Sequence, residues 1–269
     1  MLKNITLGQY YPVDSLIHRL DPRIKLILTI AFIVAVFMVH TLAGYAVIFA
    51  FVFWLSRLAK VPFRMLLRGL KPLRFIVILT FLLNLFFTPG EKVLVEFWII
   101  RFTEESLLQA VHYSLRLIFL VLGTSLLTLT TSPVSLSDAI EILLTPLKKI
   151  RFPAHELAMM MTIALRFIPT LLEEADKIMK AQLARGADLE SGNVLKRAKA
   201  MLPILIPLFV NSFRRAEELA LAMESRCYHG GEGRTRLKQL KMHLVDLIAA
   251  LYVAAFIAGV VLVNIYVKK

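Results

Sequence analysis

The chain has 269 residues, of which 58% are hydrophobic and 19% charged, with a mean hydropathy of +0.71. It is more apolar and less charged than an ordinary soluble domain, which argues against a soluble globule and makes lipid the expected solvent for much of it. The net charge of +13 would suggest nucleic acid in a soluble protein, but the cations stand at the ends of apolar runs and no basic–aromatic binding module is present, so no nucleic-acid partner is expected. A single cysteine, Cys227, rules out an intrachain disulfide and any paired-thiol metal or redox site.

The first 20 residues are polar and mixed and lack the apolar core of a cleavable signal peptide, so insertion is expected to use the first membrane helix. About 20 apolar residues cross a bilayer, and five runs are expected to do so: 24–40, 42–58, 73–87, 107–130 and 244–267, the third being short. Arg19, Arg23 and Lys25 precede the first pair, and Arg57, Lys60, Arg64, Arg68, Lys71 and Arg74 follow it, which places the N-terminus and the second connection in the cytoplasm. The connection 88–106 carries Glu91, Glu96, Glu104 and Glu105 and is expected outside, while Lys148, Lys149 and Arg151 return the chain to the cytoplasm. The expected architecture is an all-α, multi-pass membrane protein: four helices in residues 1–131, a cytoplasmic helical domain in 132–240 and a last membrane helix in 241–269. Within 132–240 the apolar runs 152–165 and 201–213 are short, the second broken by Pro203 and Pro207, and suit interfacial or partly buried helices; a membrane hairpin is the alternative.

Two charged helices stand out in that block. From Leu171, the residues Leu171, Ala175, Ile178, Met179 and Gln182 fall at helical spacing, with Glu173–Lys177 and Asp176–Lys180 as i,i+4 pairs, and Gly186 supplies a stop just after Arg185. From Phe213 to Tyr228, Ala216, Leu219, Ala220 and Met223 form a second stripe, and Arg226 precedes the Gly230-Gly231-Glu232-Gly233 loop. An arginine at a helix end either helps its dipole or, exposed, offers a planar fork to a carboxylate. Two such ends in one chain point to docking into acidic grooves on cytoplasmic partners. Ala216, Ala220 and Ala222 are small enough to let the two helices cross closely.

Four motifs occur in order: His18-Arg19-Leu20-Asp21-Pro22-Arg23 followed by Lys25, Ala164-Leu165-Arg166-Phe167-Ile168-Pro169, Ala184-Arg185-Gly186, and Arg214-Arg215-Ala216-Glu217-Glu218. With these the chain resembles, over nearly its whole length, the transmembrane T component of energy-coupling factor transporters, a family that includes cobalt-transport permeases. The resemblance implies a prokaryotic plasma-membrane scaffold joining two ATP-binding-cassette ATPases to a small membrane subunit that captures a vitamin or metal ion. It also implies that two Ala-Arg-Gly motifs contact the ATPases. The first matches at Ala184, Arg185 and Gly186. The second departs as Ser225, Arg226 and Cys227: serine stays small, but cysteine disfavours a left-handed stop, so this helix is expected to end nearer Gly230.

None of the eleven glycines is followed by lysine, so the chain has no Walker A loop. No catalysis or cofactor is expected of it, and ATP and magnesium would belong to partner subunits. The alternative, a self-sufficient secondary transporter or channel, would need polar or ionisable groups at mid-membrane. The first three spans hold no acid; Asn84 is their main central polar group, while His112 and Arg116 share a face of the fourth span, with Arg116 expected to snorkel to the boundary. The six histidines are scattered, and Met159, Met160 and Met161 point to different sides of a helix, so no metal site is expected. Gly44, Gly69 and Gly123 are candidates for a small-residue face against a membrane partner.

Overall fold

Pro22 at the first helical position, with the Asp21 carboxylate accepting from the Arg23 N–H, starts the first long helix: proline's fixed φ suits a first turn and the aspartate satisfies an orphan amide. In the computed structural model, which describes residues 10–89, 93–97, 100–150, 152–188, 191, 193–230 and 242–267, the element order is α1 (Leu16–Arg19), α2 (Pro22–Met38), α3 (Leu42–Leu58), α4 (Phe63–Leu70), α5 (Arg74–Phe87), β1 (Val93–Phe97), β2 (Ile100–Thr103), α6 (Glu104–Thr130), α7 (Pro133–Leu144), a 3-10 turn (Thr145–Ile150), α8 (Ala154–Ala184), α9 (Val194–Glu224) and α10 (Leu244–Val267). The described residues divide into two compact units, one of residues 10–139 with 242–267 and one within residues 140–230.

The protein is a helical membrane protein, and one short feature departs from that pattern. The connection expected to be a plain external loop contains an antiparallel hairpin, with Val95 opposite Phe102, Glu96 opposite Arg101 and Phe97 opposite Ile100. Alternating valines and aromatics favour extended backbone, and Thr103 ends the hairpin by capping α6 reciprocally with Ser106.

In the first unit, α2, α3, α6 and α10 enclose a core in which Phe51 stacks on Phe256 at 3.8 Å and on Phe32 at 6.1 Å, with Val36, Ile48, Leu122 and Val260 buried around them. Both ends of this core are closed by hydrogen bonds, because helix-terminal groups in lipid have no water to satisfy them. At one end Asp246, 3% exposed, accepts from the His243 N–H at the start of its own helix (2.7 Å) and from the Asp21 N–H at the start of α2 (2.8 Å). One carboxylate thus joins the positive ends of two helices. Beside it the Lys25 ammonium donates to His18 O (3.2 Å) and Thr130 O (3.0 Å), and Tyr11 N–H donates to Leu129 O (2.9 Å), filling carbonyls where α6 runs out. At the other end Asn264 donates to Met38 O and accepts from His40 N–H, while Arg116 donates to Val39 O at 3.3 Å and lies over the Phe37 and Tyr113 rings. Arg116 therefore closes the C-terminus of α2. His112 packs against Tyr45, whose hydroxyl donates to the His112 carbonyl.

The three glycines put forward for a partner face are used internally. A Cβ at Gly123 would stand 2.3 Å from the Phe32 ring, at Gly69 2.7 Å from Ser125 Oγ and at Gly44 2.7 Å from Val39. They allow close approach within the unit, so they are not a free surface.

Among the described residues, α6, α8 and α10 are long and apolar enough to cross a membrane, and α4 with α5 qualifies as a pair bent by 63°. The short third run is thus α5, preceded by α4 across that bend. Helices α2 and α3, at 17 residues each, span about 26 Å, slightly less than a hydrocarbon core. The helices of the second unit are longer than expected. Helix α8 begins at Ala154, ahead of Leu171, and α9 begins at Val194 and continues through Pro203 and Pro207. A proline removes one hydrogen bond, leaving the carbonyl four residues back unfilled, and here a neighbour fills one: Gln182 Nε2 of α8 donates to Pro203 O (3.4 Å), the carbonyl that Pro207 leaves free.

Candidate functional site

In the second unit α8 and α9 lie antiparallel, joined at three levels. Gln182 meets Pro203; Glu174 accepts from Asn211 and pairs with Arg215 at 3.1 Å; and His155 faces Tyr228 at 3.5 Å. The stripe Leu171, Ala175, Ile178, Met179 and Gln182 is half-buried, as its spacing requires, and Lys180 pairs with Asp176 at 2.7 Å. Ala216, Ala220 and Ala222 are exposed. None of the three takes part in the polar contacts that join the two helices.

The two arginine-bearing ends share one backbone geometry. At the end of α8, Gly186 N–H donates to Leu183 O (3.0 Å) and Ala187 N–H to Gln182 O (3.0 Å), with Gly186 at φ +86°. At the end of α9, Cys227 N–H donates to Glu224 O (2.8 Å) and Tyr228 N–H to Met223 O (3.1 Å), with Cys227 at φ +55°. Every donor and acceptor of the first motif has its counterpart 41 residues later (226 − 185 = 41), and both are Schellman ends with a left-handed residue directly after the arginine. The expectation that α9 would run on toward Gly230 is corrected. The helix ends at Glu224 because Cys227 takes the left-handed conformation despite its Cβ. Gly230 is itself left-handed at φ +97°, and the rest of the expected glycine loop lies outside the described residues.

Ala184, Arg185, Gly186, Ser225, Arg226 and Cys227 are all exposed, and neither arginine pairs with an acid among the described residues. Since the helices are antiparallel, their C-terminal tips lie at opposite ends of the pair, a straight 31-residue helix being about 46 Å long at 1.5 Å per residue. The second tip has a side-chain anchor that composition did not reveal. His155 Nδ1 lies 2.9 Å from the Glu141 carboxylate, so it carries the proton, and Nε2 faces the Tyr228 hydroxyl two residues beyond Arg226. A histidine at position 155 is unremarkable in sequence; the antiparallel arrangement is what brings it to residue 228.

The unit also exposes an apolar face. Met201, Leu205, Phe209 and Phe213, at four-residue spacing on α9, are exposed, as are Met160 and Met161 on α8. No group of three or more His, Cys, Asp or Glu able to hold a metal occurs among the described residues.

The chain is thus a helical membrane protein that carries two repeated, exposed arginine-bearing helix ends, and comparison gives its family. Residues 14–237 match the family model for cobalt transport protein, CbiQ. Relatives named energy-coupling factor transporter transmembrane protein EcfT include those of Thermosediminibacter oceani (56% identical, covering 96% of this chain and 94% of the relative), Clostridium kluyveri (53%, covering all of both) and Bacillus subtilis (50%, covering 89% and 91%). The chain belongs to this family of energy-coupling factor transporter transmembrane components, and it is a multi-pass membrane protein.

Proposed function

We propose that the chain is the non-catalytic coupling subunit of an ATP-driven importer, in which Arg185 and Arg226 each dock into an acidic groove of one of two ATP-binding-cassette ATPases. The observation that carries this reading is the repeated Schellman end: two exposed guanidinium groups in the same backbone setting, at opposite ends of one antiparallel helix pair. Each fork suits a carboxylate bidentately, and placement at opposite ends of a pair of 31-residue helices suits two separate partners of one kind. Ala184, Gly186, Ser225 and Cys227 are the small neighbours that let a groove close around each arginine.

When ATP draws the ATPases together, they exert force on the two tips. Between the tips the pair is tied by Glu174–Arg215 and Gln182–Pro203, while Pro169, Pro203 and Pro207 are the points where a backbone hydrogen bond is already missing. Bending is therefore concentrated in mid-helix, and movement reaches the apolar face of Met201, Leu205, Phe209 and Phe213. That face is where the small membrane subunit that captures a vitamin or metal ion would rest. ATP and magnesium belong to the ATPases. The basic segments 57–74 and 148–151 support an N-terminus and two arginine tips on the cytoplasmic side of a prokaryotic plasma membrane. The absence from the sequence of any acid in the first three spans disfavours a self-sufficient carrier.

Arg185→Glu with Arg226→Glu should abolish co-purification of the ATPases, since losing one partner of a desolvated ion pair costs on the order of 3–5 kcal/mol. Unchanged co-purification in mild detergent would reject the docking role.

A further inference from the structure

Within the first unit, the turn from α3 to α5 concentrates positive charge without compensation. Arg57, Lys60, Arg64, Arg68, Lys71 and Arg74 are all exposed, no Asp or Glu occurs anywhere between Asp21 and Glu91, and none of the six forms an ion pair among the described residues. The acid whose field reaches this cluster is Asp14, near Lys60, and it is already paired with Arg19 at 3.2 Å.

The placement of the charge is specific. Helix α4 is amphipathic: Leu66 is fully buried, while Arg64 and Arg68, four residues apart, share the exposed side. The chain bends by 63° between α4 and α5, so α4 does not continue the direction of the α5 span. Gly69 packs against Ser125 of α6, five residues before that helix ends at Thr130, so α4 lies beside the last turns of a spanning helix, within about 7.5 Å of axial rise of its end. Aromatic rings surround the same turn. Phe63 packs edge-on against Phe49 and Phe53, and the Arg57 guanidinium lies over the Phe53 ring at 5.0 Å.

We propose that α4 with its flanking cations is a binding surface for anionic phospholipid headgroups, lying in the plane of the bilayer interface. Charge complementarity decides for phosphate over a zwitterionic surface: six exposed cations stand in a stretch of sequence that holds no acid, with exposed Leu67 and Phe75 among them to meet the acyl region. The surface does not depend on the docking role of Arg185 and Arg226.

For the test, the full-length chain, purified with the subunits that accompany it, is exchanged into nanodiscs of equal parts phosphatidylcholine and phosphatidylglycerol and released in mild detergent. The lipids that stay bound are counted by native mass spectrometry. Wild-type protein should retain phosphatidylglycerol in excess, and the excess should shrink as ionic strength rises, because exposed charges are screened. In R64Q/R68Q/K71Q the ratio should fall by about fivefold for each cation removed, the equivalent of about 1 kcal/mol each. R64K/R68K should keep the ratio, since charge is what the lipid reads. Wild-type retention in the ratio of the mixture, or no change in the triple variant, overturns the proposal. So does loss of co-purifying protein subunits from the triple variant with lipid retention intact, which would make the patch a protein-docking surface. If the triple variant does not accumulate, the salt series on the wild type decides.

Discussion

The two tips differ in one atom that matters: position 186 is glycine and position 227 carries a Cβ, yet both backbones are left-handed. For a residue with a Cβ the left-handed region costs about 1–2 kcal/mol. Replacing it with glycine relieves that cost but adds about 0.5–1 kcal/mol of lost backbone freedom. Cys227→Gly should therefore stabilise its helix end by a net ~0.5–1 kcal/mol, or roughly two- to fivefold in the local opening equilibrium. Gly186→Ala should destabilise the other tip by a similar amount. The comparison is clean because no atom lies within 4 Å of a Cβ built at Gly186, so the methyl meets only the backbone conformation and no neighbour. Hydrogen exchange of the motif amides reads the effect directly: Tyr228 N–H, bonded to Met223 O, should gain protection in Cys227→Gly, and Ala187 N–H, bonded to Gln182 O, should lose it in Gly186→Ala. Equal or faster exchange of Tyr228 in Cys227→Gly would refute the reasoning, because the end of α9 would then not be limited by left-handed strain.

Asp246→Ala leaves the buried Asp21 N–H without an acceptor, at about 1–3 kcal/mol, and also strips the acceptor from the more exposed His243 N–H; thermal unfolding in detergent should show a clear loss, with Asp246→Asn intermediate. Burial pushes the His18 ring below its ordinary value of 6.5. The unfolded chain then takes up the proton first, so stability is complete above that value and declines as pH falls through it; His18→Gln should flatten this part of a melting series taken down to about pH 5. With Cys227 replaced by serine, a cysteine at position 191 should label from the cytoplasm and one at position 97 from outside; the reverse pattern would overturn the orientation inferred from the basic loops.

Hydropathy and helical spacing were enough to place helices over the five long apolar runs, and to find the half-buried stripe of α8 and both arginine-bearing ends. Burial periodicity and terminal charge are local properties, and local properties are written in order along the chain. The four family motifs were legible for the same reason.

What sequence did not disclose depends on residues brought together from afar. Pro203 and Pro207 argue for a break when read alone; the helix continues because Gln182, on another helix, fills a carbonyl that Pro207 abandons. Cysteine at 227 argues against a left-handed stop, yet closing two hydrogen bonds onto Met223 and Glu224 outweighs the steric cost of one Cβ. Gly44, Gly69 and Gly123 read as a possible partner face until Val39, Ser125 and Phe32 are found against them. Asp246 looked like an ordinary acid near a helix start, and only the arrival of Asp21 from the far end of the chain makes it a bridge between two helix N-termini. The amino-acid sequence by itself determined which segments are helical, apolar or charged, since those are energies of single residues and near neighbours. Tertiary structure alone decided that the two arginines point from opposite ends of one antiparallel pair, because that is a relation between helices.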